Sequence, residues 1–216
     1  MGRARDISKV FSTNTALATD TEVSGSYLTL ASASTTYQTK ATAGLTLLNT
    51  TSFNAQSTVS IDNIFTSTYD VYKIVVFCEA STDADRTITW RLRANTTDNT
   101  SANYRFFNQG LDGSNAAVNS TSAGATSAIW VANQHYGGYP SPIEVDVYFP
   151  FLAESTIWQG LSHGGTGATN FAQRIAGLHA VQSSFNGFTL INSSGNFQNS
   201  TVSVYGYNKW SGIKEI

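Results

Sequence analysis

Few side chains in this sequence have the type and spacing that catalysis asks for. Glu144 and Asp146 stand two residues apart, which on a strand puts both carboxylates on one face. Glycoside hydrolysis uses two carboxylates across one cleft, so the pair brings a polysaccharide depolymerase into view, yet solvated outward positions account for both residues. The histidines His135, His163 and His179 include no pair at metal-ligand spacing such as i, i+4. His179 falls in a strand-like run and reads as a strand residue. His163-Gly164-Gly165-Thr166-Gly167 lacks the Gly-Lys-Ser/Thr end of a phosphate loop, and no helical pattern follows it, so it reads as a flexible turn. A serine nucleophile on a strained turn would announce itself as G-x-S-x-G, which does not occur. The expectation is therefore a protein that is not an enzyme, with no catalytic residues, no metal ligands and no cofactor.

The aromatic residues are the more informative set. Trp130, His135, Tyr136, Tyr139 and Trp158 flank connections rich in Asn and Gly. Flat apolar rings beside neutral amides are what a sugar-binding surface needs, which makes these five the candidate contacts to a host glycan. For Trp130 and Trp158 a place in the core is the competing reading, with the tyrosines capping it.

Composition narrows the partners. Charged residues are 12% of the 216, about half the usual ~25%, and the net charge is −2. No basic field exists to gather nucleic acid or anionic lipid, so neither is expected as a partner. No apolar run approaches the ~20 residues of a membrane span, and the basic N-terminus has no apolar stretch behind it that would make it a secretory signal. The single cysteine, Cys78, sits inside the strongest strand pattern and reads as a small buried apolar residue, so no disulfide framework is expected.

Two parts must carry these residues. In residues 1–50 large apolar side chains are thinly spread among Ser, Thr and Ala, too few for a core. Ile7, Val10, Phe11 and Leu17 have the spacing of a short helical seam between chains, and they are the candidate attachment or trimer contacts of an N-terminal arm. Residues 51–216 read as short alternating runs divided by Asn, Gly, Asp and Ser. Strands are expected over 69–78, 86–93, 104–108, 128–131, 143–149, 156–161, 174–181, 187–191 and 201–207, with 111–126 a loop. The run 69–78 is apolar at both parities, which places it mid-sheet with both faces covered. The natural arrangement is two antiparallel sheets face to face: an all-β sandwich, jelly-roll-like, behind an extended or short-helical arm.

Several stretches carry a family likeness. RARDISKVFSTNTALATDTEV and SYLTLASASTTYQTKA resemble the N-terminal connector of virion appendage proteins from marine and cyanobacterial tailed phages. Phe65–Val75 (FTSTYDVYKIV), Trp90–Arg93 (WRLR) and Val202–Tyr207 (VSVYGY) resemble strands of the distal domains of those proteins, and GGTGATN (164–170) resembles a motif recurring in tail fibres. The likeness implies a β-rich homotrimer without catalysis, displayed on the virion as a tail fibre, head fibre or capsid decoration. It also implies assembly in the host cytoplasm and attachment to other virion proteins through the arm, while contact with a host surface glycan is the expectation from the aromatic set. It brings no catalytic residues with it. A chain this short without a shaft also suits a cement protein that clamps the head shell.

Overall fold

A computed structural model describes residues 44–80, 87–131, 141–165 and 170–208. They form β1 (Leu45–Phe53), β2 (Thr58–Ile61), β3 (Val71–Ala80), β4 (Ile88–Ala94), β5 (Thr97–Asp98), β6 (Tyr104–Asp112) and β7 (Ala117–Ala125). Then follow β8 (Ala128–Val131), β9 (Ser141–Tyr148), β10 (Ile157–Gly165), β11 (Asn170–His179), β12 (Gly187–Asn192) and β13 (Phe197–Tyr207). Eight strands make one antiparallel sheet in the order β1-β13-β3-β9-β10-β11-β6-β7. The second sheet runs β2-β12-β4-β5, with β8 also paired to β4. The described residues are all-β, and the two sheets enclose one core.

The strand β3 shows how the sequence builds that core. Its alternate residues Tyr72, Ile74, Val76 and Cys78 are wholly buried between the sheets. Neighbours in register continue the layer: Val204, Ile74 and Val145 lie side by side on β13, β3 and β9. The strand is central in its sheet, as its composition predicts, but its second parity is not buried to match. Phe77 is 43% exposed, and Val71, Lys73 and Val75 share that outward face. Apolar residues at both parities here mean one buried face and one outward apolar face.

Three tryptophans join the sheets. Trp90 on β4 lies 4.7 Å, centroid to centroid, from Trp130 on β8, and meets Trp158 on β10 edge-on at 5.2 Å. Room for Trp158 comes from Gly177 beside it on β11: a Cβ there would stand 2.5 Å from the indole Cζ2. Buried amides seat β8 against the large sheet, Asn108 Nδ2 donating to the Ile129 carbonyl (2.9 Å) and Gln173 Nε2 to that of Trp130 (3.4 Å). Tyr104 adds a third tie. Its hydroxyl accepts from the Leu92 N–H (2.9 Å) and donates to the Asn99 carbonyl (3.0 Å), so β6 is fastened to the β4–β5 side.

Three expectations need correction. The β-domain begins before residue 51, because β1 starts at Leu45 and pairs along its length with β13. The stretch 111–126 is not a loop: Asp112 Oδ1 accepts from the N–H groups of Ser114 and Ala116, both at 2.8 Å, and closes a hairpin between β6 and β7. Those bonds, the Ser114 hydroxyl first, hold the Asp112 carboxyl below its ordinary pKa. His163, Gly164 and Gly165 are not a flexible turn either; they are the last residues of β10, paired with β11.

Candidate interaction surface

The residues singled out for glycan contact divide cleanly. Trp130 is 0% and Trp158 1% exposed, so their rings are already packed against protein and offer no face to a sugar. A glycan role for these two is withdrawn. His135, Tyr136 and Tyr139 lie outside the described residues, as do Ile7, Val10, Phe11 and Leu17 of the arm.

The carboxylates of β9 are held by neighbours on the outward face. Glu144 pairs with Lys73 on β3 at 2.5 Å. Asp146 accepts from the Tyr207 hydroxyl at 2.8 Å. Burial and this bond together push the Tyr207 phenol up to about 12. Each carboxylate thus ties β9 to a strand on its sheet, and the two point out from a pleated surface rather than across a cleft.

His179 belongs to the interior. Its ring is sandwiched edge-on between Tyr104 (4.9 Å) and Phe185 (5.0 Å), and burial holds its pKa below the ordinary value. The sign follows from linkage: the unfolded imidazole takes up a proton near pH 6.5, while the folded one resists until lower pH. Stability is therefore full above about pH 6.5 and falls as pH drops through the folded value. Urea melts between pH 7.5 and 5 should show this slope, at most about 1.4 kcal/mol per pH unit from one proton. His179→Phe should flatten it; an unchanged slope would assign it to other groups.

What the structure does assemble is the outer face of the eight-stranded sheet. Seven exposed large apolar residues lie on it: Leu45, Leu47, Phe77, Phe107, Leu111, Ile157 and Leu161. Leu161 at 61% is the most exposed of them. The registers arrange this face in rows that cross the strands. One runs Val75–Glu144–Leu161–Arg174–Gln109 from β3 to β6, and the next Lys73–Asp146–Gln159–Ala176–Phe107. A third runs Val71–Tyr148–Ile157–Leu178–Arg105. Small side chains leave a shallow hollow of about 360 Å³ beside Val75, Pro142, Leu161, His163 and Ala172. Sequence reading missed this face because its residues come from separate strands and meet only after the sheet has formed. The available signal was the wrong-parity apolar residue: Phe107 and Leu161 each break a polar-out pattern, and β3 is apolar at both parities.

The outer side of the small sheet carries an ionic cluster at one end. Arg93 on β4 donates from Nε to Asp62 Oδ1 (2.8 Å), from Nη1 to Asp98 and to Thr189 Oγ1 (2.9 Å), and from Nη2 to the Thr96 carbonyl. This cluster locks β5 and the end of β2 onto the small sheet. Among the described residues no group of three or more His, Cys, Asp or Glu has the arrangement to hold a metal ion. Nor is any helix there long and apolar enough to cross a membrane.

No protein-family model matches the chain, and no curated protein is significantly similar to it.

Proposed function

We propose that the chain is a non-enzymatic structural protein of a tailed-phage virion, displayed on the particle surface and associating with its own copies. The observation that carries the structural part is the outer sheet face: broad, apolar-studded and interspersed with both signs of charge. Its carboxylates are engaged in strand-to-strand contacts, which suits packing against protein. The assignment to a virion draws on the resemblance of Phe65–Val75, Trp90–Arg93 and Val202–Tyr207, which form the lead into β3, part of β4 and the end of β13. In this reading residues 1–43 attach the protein to the particle. His135, Tyr136 and Tyr139 remain the candidates for contact with the host envelope.

The second reading, a decoration protein clamping the head shell, is favoured by the same face, since a broad sheet surface suits lying over a capsomer better than gripping a sugar. In neither reading do Glu144 and Asp146 perform catalysis.

Deleting residues 1–43 tests the arrangement. The whole ladder from β1 to β13 lies between Gly44 and Asn208, so the remaining domain should keep its melting transition. It should fail to enter particles when supplied in place of the full chain. A truncated protein that assembles normally would remove the attachment role from residues 1–43.

A further inference from the structure

The outer face of the large sheet is self-complementary about β10, and we propose that it pairs with the same face of a second copy of this chain. The two copies are related by a two-fold axis running along β10. The inference rests on reading this face as a packing surface and not on where the protein sits in a particle.

Charge selects the axis. In the row Glu144–Leu161–Arg174, the acid lies on β9 and the base on β11, with β10 between them. Rotation about β10 lays β9 of one copy over β11 of the other, so Glu144 meets Arg174 twice. An axis along β9 would instead set Glu144 against Glu144, and an axis along β11 would set Arg174 against Arg174. Arg174 is exposed and has no carboxylate at ion-pair distance among the described residues, so it is available to a second copy. Glu144 stays half-exposed even while it contacts Lys73.

The apolar positions follow the same operator. Leu161 and Ile157 lie on the axis and meet their own counterparts. One strand further out, β3 falls over β6, bringing Phe77 to Leu111 and the Lys73 ammonium over the Phe107 ring, an attractive pairing of cation and π face. Packed sheets cross at about 30° because each is twisted, so the axis bisects the angle between the two β10 strands, and the contact is tightest over β9, β10 and β11 and loosens outward. About this axis seven strands overlap, β13 to β7, and at ~4.8 Å spacing with rows spanning about 20 Å of strand they give a face of roughly 670 Å². That approaches the ~800 Å² per partner of a standard stable interface.

Crosslinking in the full-length chain tests the pairing. Facing sheets stand about 10 Å apart, too far for a direct disulfide, so Leu161→Cys is treated with a short bis-maleimide. The native Cys78 is buried and does not compete. A position on a two-fold axis faces its own copy, so Leu161→Cys should run mainly as a linked dimer. Leu47→Cys, of similar exposure (55% against 61%) but far from the axis, should stay monomeric. The charge pairs give a second readout. Glu144→Arg and Arg174→Glu should each weaken the dimer seen by native mass spectrometry about tenfold or more, and the double exchange should restore it. Absence of the Leu161→Cys dimer, equal linking through Leu47→Cys, or single charge variants that associate normally would overturn the proposal; a face covered instead by residues 1–43 or by a different protein would give the first of these. A chain that pairs but is missing from particles would overturn the virion reading alone, and a chain found in particles without pairing would overturn this inference alone.

Discussion

Trp90→Ala is expected to lower the unfolding free energy by about 3–5 kcal/mol, the largest loss from any single substitution in the domain. The indole is wholly buried and touches the rings of Trp130, Trp158 and Phe188, from both sheets. Its removal opens a cavity at the point where β4, β8 and β10 meet, and the rigid rings around it cannot collapse to fill the space. For a domain of this size the melting temperature should fall by about 10 °C or more. Trp90→Phe should recover part of the loss by filling some of the cavity. Urea titration followed by circular dichroism measures both. A loss under 1 kcal/mol would mean that the sheets are not joined through this cluster.

The second large effect should come from Arg93→Ala, at about 2–3 kcal/mol. Arg93 is 11% exposed at its side chain and satisfies two carboxylates, the buried Thr189 hydroxyl and the Thr96 carbonyl at once. Taking away one partner of a buried ionic cluster strands the others without solvation, which costs more than the intact cluster contributes. Asp62 and Asp98 retain 30% and 22% exposure, so water recovers part of the penalty and the estimate sits below that for a fully buried pair. Arg93→Lys should rescue little, because one ammonium cannot span Asp62, Asp98 and Thr189 together. Differential scanning calorimetry of the two variants checks this; a lysine variant as stable as the parent would reduce the cluster to simple charge attraction.

The strands legible in the sequence are those whose one face is buried against the core. In β9, and in β13 from Val202 onward, the inward parity is occupied by Ile and Val and period-two alternation survives, while β3 stands out by being apolar at both parities. Where that condition lapses, the pattern does too. In β7 only Val118 and Ala125 pack against the core, on an edge made of Ser, Thr, Asn and Ala, so the strand resembles a loop in composition. In β1 a bulge between Leu47 and Asn49 shifts the parity halfway along, which hides a nine-residue strand inside what reads as the end of an arm. The tryptophans were ambiguous for a different reason. A ring beside Asn and Gly has the same local sequence whether it faces sugar or the opposite sheet, and only the pairing of β8 with β4 and of β10 with β9 decides it. The outer face was visible only as residues of unexpected parity.

The central claim is that this chain is a structural component of a phage particle. Quantitative mass spectrometry of purified virions tests it most directly. The account predicts the full chain in every preparation at a fixed stoichiometry to the major capsid protein: a few to a few tens of copies for an appendage, hundreds for a shell decoration. A chain abundant in infected cells but absent from purified particles would contradict it.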